Sequence, residues 1–318
     1  MSGTFIISFD CEGKWGAADH LTDFFNSAIT NDNLNKAYQR IIGILDRYGV
    51  KGTFAFVGAF TMSIEEYLEH PDWFAEVEID GRPWFAAFKR AALLKQFDGW
   101  FNPRCLAMVE QTGQHEIAAH GFSHLPLGES MITREVFERE MACLKKVSNF
   151  KNRQGMTFIY PKNLIGYIKE LREAGFIGYR DGIRTFNRGR NSRLYEISRR
   201  INNIIKEIIP RQPSQNHFDP GGIICIPGGA SLNWRYGLRQ NIPINFTVKK
   251  WEKTINHAIL HGKVVHLYTH PHNFITGDRM YFLLEEILKK VSQAMERNEL
   301  VNKTQKEYAE SLITSEDD

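Results

Sequence analysis

Seven short apolar runs, at 4–9, 52–57, 115–119, 157–160, 176–179, 223–226 and 263–268, recur along this chain with polar or helix-patterned stretches between them. Runs of this length bounded by turn formers read as buried strands, and strands that alternate with amphipathic helices build a parallel sheet. One intervening stretch places Leu34, Ala37, Ile41, Ile44, Leu45 and Tyr48 at helical spacing and stops at Gly49, a residue suited to the left-handed turn that closes a helix. Another carries Ile165, Ile168, Leu171 and Ala174 and stops at Gly175. The expected class is α/β, and at 318 residues one barrel-like domain with insertions accommodates the chain.

Several function classes are disfavoured at once. Lys and Arg exceed Asp and Glu by only three charges, and no basic tract is interleaved with aromatics, so nucleic acid is not an expected partner. No apolar run approaches the roughly 20 residues of a membrane span. The run at 4–9 is too short for a secretory core and leads straight into acidic residues. Cys11, Cys105, Cys143 and Cys225 show no paired spacing and are expected to be reduced. The expected address is the cytoplasm, and no obligate protein partner is evident.

Two segments interrupt the alternation. Residues 58–105 hold Trp73, Trp84, Phe85, Phe88, Phe97, Trp100 and Phe101, which reads as a small helical insertion packing its own core rather than a sugar-stacking lid. Residues 185–245 hold an apolar stripe of Leu194, Ile197, Ile201, Ile204, Ile205 and Ile208 beside Arg193, Arg199, Arg200 and Lys206. A helix of this kind is ordinarily a surface helix packed on the domain, and its basic flank also permits weak peripheral contact with the inner membrane face.

Chemistry concentrates at strand ends. The run at 115–119 leads into His120-Gly121-Phe122-Ser123-His124, two imidazoles four residues apart around a glycine that permits a sharp turn. The first run ends in Asp10-Cys11-Glu12. Carboxylates one residue apart on a strand end share a side, and Gly13 and Gly16 argue against a helix that they would merely cap. Two imidazoles and a carboxylate suffice to hold a divalent metal and leave positions open for water and substrate. One carboxylate can bind metal while the other serves as base, and spacing alone does not say which. The last run delivers His266, His270 and His272 before and after Pro271. His266 reads as a hydrogen-bonded structural histidine and His270 as a general acid.

With these residues in place the chain resembles the polysaccharide deacetylase, or NodB-homology, family of carbohydrate esterases. Phe9-Asp10-Cys11-Glu12 is similar to the family's acidic first motif, His120 to His124 to its His-x-x-x-His second motif, and His270 to the histidine of its fifth. Gly52 to Gly58 resembles its second strand. The resemblance covers most of residues 4–180 and then 263–274. It implies a distorted, incomplete (β/α) barrel with helical insertions, Asp10 as base and Glu12, His120 and His124 as metal ligands. The chain departs from the third motif: Ile159 stands where the family places an arginine that orients the base, and Lys162 or Arg180 is a candidate replacement. No aromatic-plus-acid fourth motif can be placed.

The expected function is metal-dependent N-deacetylation of an acetylated sugar, borne on a nucleotide or lipid in surface-polysaccharide (O-antigen) assembly. One divalent ion is expected, with zinc first and cobalt, nickel or iron suited to the same donors. The competing reading is a relative that binds glycans, or serves as a scaffold, without turnover, motivated by Ile159. A non-haem iron oxygenase shares the donor set but is disfavoured by the long separation of its carboxylate from the imidazoles.

Overall fold

The computed structural model describes residues 2–182, 217–218 and 222–314. Its strands are β1 (Gly3–Cys11), β2 (Thr53–Phe56), β3 (Glu78–Ile79), β4 (Arg82–Pro83), β5 (Glu116–Ala119), β6 (Thr157–Phe158), β7 (Gly178–Arg180), β8 (His217–Phe218), β9 (Ile224–Ile226), β10 (Ala230–Ser231), β11 (Val264–Thr269) and β12 (Leu300–Asn302). Ten of them form one sheet in the order β10-β11-β1-β2-β5-β6-β7-β9-β8, with β12 also pairing β1, while β3 and β4 form a separate hairpin. Every pairing in the large sheet is parallel except β8 with β9. Among the described residues the two ends of this order do not meet, so the sheet is an incomplete barrel wrapped by helices, as the apolar runs and the family resemblance imply. All seven runs read from the sequence are strands. The short β8, β10 and β12 were not anticipated, because two or three residues carry no periodic signal.

β1 is the central strand. It pairs β11 through Thr4–Phe9 on one edge, and its other edge is shared by β12 at Gly3–Phe5 and β2 at Ser8–Cys11. A parallel strand covered on both faces is a near-continuous apolar run, and eight of the nine residues of β1 are buried. The helix Asn31–Arg47 covers one face with Leu34, Ala37, Ile41, Ile44 and Leu45. It starts where Thr30 Oγ1 accepts the Asn33 N–H at 3.2 Å, and the chain turns away at Gly49, whose φ is +62°. The second predicted helix is shorter than its stripe, Ile168–Glu173. Gly166 lies so close to neighbouring backbone that a Cβ there would fall 2.7 Å from the Leu127 carbonyl oxygen, which pins the chain and leaves Ile165 outside the helix.

In residues 58–105, Trp73, Trp84, Phe85, Phe88, Trp100 and Phe101 are buried, and they join the main core rather than forming a separate one. Their hub is Trp15, just after the acidic motif. Its ring lies 4.7 Å from Phe88, 4.9 Å from Trp100 and 5.6 Å from Phe74, and its Nε1–H donates to the Trp100 carbonyl at 2.8 Å. The insertion therefore braces the segment that carries Glu12. The amphipathic stripe at 194–208 lies outside the described residues. No helix among the described residues is long and apolar enough to cross a membrane.

Candidate active site

Parallel α/β sheets collect functional groups at the C-terminal ends of their strands. Here Asp10 stands near the end of β1 with Glu12 just past it, His120 follows β5, Arg180 ends β7 and His270 follows β11. A short 3₁₀ turn, Gly13–Ala17, does begin after the carboxylates, contrary to the expectation from Gly13 and Gly16. Gly13 itself sits at φ +55°, which its lack of a Cβ allows. Glu12 occupies the cap position of that turn, but its side chain makes no capping bond and points into the site instead.

Glu12 Oε1 lies 3.1 Å from His120 Nε2 and 3.0 Å from His124 Nε2. The other nitrogen of His120, Nδ1, is 2.8 Å from the Ile159 carbonyl oxygen. A carbonyl only accepts, so in the neutral ring Nδ1 carries the hydrogen and Nε2 turns its lone pair toward Glu12. Two acceptors then face each other in a buried space, an arrangement that a cation between them resolves. The donor atoms of Glu12, His120 and His124 all lie within 4.8 Å of one another, as do those of Asp10, Glu12 and His270. A carboxylate with two imidazoles suits a divalent ion. Burial keeps His124 below its ordinary pKa in spite of Glu12, which favours the neutral, ligating form.

The loop between the imidazoles is held from behind. Glu140 accepts the Phe122 and Ser123 N–H groups at 3.2 and 3.0 Å and the Ser123 hydroxyl at 2.7 Å. Gly121 sits at φ +74° and His124 itself at φ +61°. Non-glycine residues rarely adopt that region except where the surroundings impose it, often at functional sites.

The charge missing at Ile159 comes from the adjacent strand. Arg180 meets Asp10 through both guanidinium nitrogens, at 2.7 Å to each carboxylate oxygen, and its side chain is fully buried. It also donates to Asn163 Oδ1 at 2.8 Å and to Ser8 Oγ at 3.2 Å, and it lies 4.3 Å over the Tyr268 ring. Burial would raise the Asp10 carboxyl, but the Arg180 charge and hydrogen bonds overcome that and hold it below its usual range. Behind Arg180, His266 Nδ1 donates to the Pro227 carbonyl at 2.6 Å and Nε2 accepts the Ser8 hydroxyl at 2.8 Å. His266 is thus a bonded structural histidine, pushed by burial down to about 3. Lys162, the other candidate for the missing charge, pairs with Asp19 instead, at 2.5 Å.

His270 completes the rim, with Nε2 3.4 Å from Glu12 and 3.8 Å from Asp10. Burial opposes its charge, yet the two carboxylates prevail and its pKa is raised; a side chain 26% exposed suffers only part of that penalty. The pocket in front has a volume of about 360 Å³. Its walls include rings outside the proposed ligand and acid–base set. Trp234 and Phe25 stand with ring centres 5.7 Å apart, and His20 and His272 line it too. Trp234 donates its Nε1–H to Thr276 Oγ1 at 2.7 Å and comes from the stretch that the resemblance left uncovered.

The sequence profile of the polysaccharide deacetylase family matches residues 25–163. The resemblance read from the sequence is borne out over that segment, which contains His120 and His124. No curated protein matches the chain. Among solved structures, a Mycobacterium smegmatis protein assigned to the polysaccharide deacetylases superposes with a TM-score of 0.56 at 16% identity, over 99% of this chain and 92% of that one. PuuE allantoinase gives 0.53 at 10% identity, over 96% and 88%. The α-amylase AmyC from Thermotoga maritima gives 0.52 at 11%, over 98% and 75%. Proteins named for three different reactions share this architecture, so the choice among chemistries falls to the side chains.

Proposed function

Since the chain carries the polysaccharide deacetylase signature over residues 25–163, we propose that it is a metal-dependent N-deacetylase that releases acetate from an N-acetylated sugar. One observation carries this reading: a Glu12–His120–His124 donor set, an arginine-held Asp10 and the His270 imidazole converge on one rim beside a pocket. Glu12, His120 and His124 would hold a single divalent ion. Zinc is the proposed ion because it needs no redox partner, and cobalt, nickel or ferrous iron suit the same donors. When bound, the ion supplies Lewis acidity, lowering the pKa of its water toward about 7 and polarising the amide carbonyl.

Asp10, kept ionised and aligned by Arg180, takes the proton of the attacking water. His270, on the same rim, holds a proton at Nε2 and delivers it to the departing amine as the C–N bond breaks, leaving acetate and an amino sugar. A group that must give up a proton near neutral pH benefits from a raised imidazole pKa, and Asp10 benefits from the opposite shift. The alternative of a relative without turnover loses its motive, since Arg180 supplies the charge absent at Ile159. The proposed substrate is an acetamido sugar on a nucleotide or lipid carrier.

Acetate release measured against nucleotide sugars, lipid-linked sugars and free oligosaccharides tests this reading. Release from at least one class, lost on chelation and restored by added divalent metal, is the expected result. A metal-loaded protein that releases acetate from none of them would refute it. Glu140→Gln is expected to weaken metal affinity by about tenfold to a hundredfold, the usual cost of disturbing the groups behind metal ligands; a competition titration against a chromogenic chelator reads this directly.

A further inference from the structure

A second, larger chamber adjoins the catalytic pocket. Its volume is about 830 Å³, and His20 and Lys162 line both spaces. At the divide Lys162 pairs with Asp19 and sits 4.8 Å above the Trp84 ring. Lys162 and Asn163 both hold positive φ, +55° and +56°, in the turn that also sends Asn163 to Arg180. The backbone that fixes the divide is therefore the backbone that supports the base.

Beyond the divide the chamber is lined by Leu21, Ile79, Pro83, Ala86, Met131 and Leu164, with Asp80 and Arg82 as exposed charged members. Leu21, Pro83, Ala86 and Met131 present apolar surface to this space, and its charged groups, Asp19, Asp80, Arg82 and Lys162, are of mixed sign, unlike a site built for a polyanionic pyrophosphate. A base seeks an uncovered aromatic face. Of the two aromatic rings on this wall, Trp84 is 3% exposed and lies beneath Lys162, and His20 is paired with Asp19. A hydrocarbon chain needs no partner beyond apolar contact. We propose that this chamber receives an apolar alkyl or prenyl chain attached to the sugar whose acetamido group enters the catalytic pocket, so that the carrier is a lipid rather than a nucleotide. What occupies the catalytic pocket rests on the deacetylase reading; the chain site rests on the chamber itself.

The test is calorimetric binding of methyl, butyl and octyl N-acetylglucosaminides to the metal-loaded protein, below their micelle concentrations, with acetate release followed in parallel. Affinity is expected to rise with chain length by about fourfold per methylene in contact, the equivalent of about 0.8 kcal/mol. Ala86→Trp, which fills the chamber from an exposed position on its wall, is expected to abolish that dependence. Equal affinity for methyl and octyl glycosides of the wild-type protein would overturn the proposal, and so would a nucleotide sugar that binds more tightly than the octyl glycoside. Length-dependent binding with no acetate released from any glycoside would uphold the chain site by itself, while the deacetylase reading is decided by the three substrate classes above.

Discussion

Arg180→Ala is expected to lower kcat for acetate release by about a thousandfold, within the range of a lost or misaligned general base, while bound metal stays stoichiometric. The guanidinium grips both oxygens of Asp10 and touches none of the proposed metal ligands. Without it, Asp10 is a buried carboxylate with its main counter-charge gone. Burial then faces only the weaker pull of His120 and His270 and drives the Asp10 pKa upward, so the acid limb of the rate profile should move to higher pH. Removing one partner of a buried pair also destabilises the fold, by about 3–5 kcal/mol, so two further measurements separate catalysis from folding. Arg180→Lys restores the charge but not the two-point grip, and should recover stability better than rate. Guanidinium ion added to Arg180→Ala should recover part of the rate, because it can enter the space vacated beside Asp10. Wild-type turnover in a folded Arg180→Ala protein would show that the base is aligned by something else.

Gly16→Ala is expected to lower metal affinity by more than a hundredfold, beyond the ordinary cost of a change behind the ligands. A Cβ on Gly16 would stand 1.7 Å from Glu12 Oε2 and 2.7 Å from Glu12 Cδ. No flexible neighbour can absorb this overlap except the Glu12 carboxylate itself, which must leave its place between the imidazoles. Gly16 is not among the residues with positive φ, so alanine suits its backbone and thermal stability should change little. Gly43→Ala supplies the control, because nothing lies within 4 Å of a Cβ there. That change in the middle of a helix should stabilise the protein by about 1 kcal/mol and leave metal binding untouched. Full metal occupancy in Gly16→Ala by elemental analysis would remove Glu12 from the ligand set.

The contrast between these two residues shows how far the sequence could be read. Strand positions were legible because a doubly covered parallel strand reads as a near-continuous apolar run, as in β1 and β11. The five candidate side chains were legible because they lie at or just beyond strand ends, and strand ends in a parallel sheet share a rim. Arg180 was legible only as one of two options. Choosing it over Lys162 requires knowing that β7 lies two strands beyond β5 and aims its last residue at Asp10, a fact of sheet order and not of spacing. Gly16 entered the sequence reading only as a helix breaker and Glu140 not at all, since their importance lies in a close approach to Glu12 and to the Phe122–Ser123 loop that only the fold creates. The pocket wall formed by Trp234 was hidden for a related reason: two-residue β10 precedes it, and a pair of residues has no period.

The placement of β1 also has a temporal meaning. The strand that carries Asp10 and leads into Glu12 is flanked by β11 and β12, and the Ser8–His266 hydrogen bond behind Asp10 spans 258 positions. Local contacts cannot stabilise such a strand, and closing loops of that length slows folding. The carboxylates must therefore wait, solvated and apart from the imidazoles, until β11 has joined the sheet. A nascent or prematurely ended chain would carry both histidines and both acids and still be unable to retain an ion at them. Metal capture would then mark the close of folding rather than its beginning.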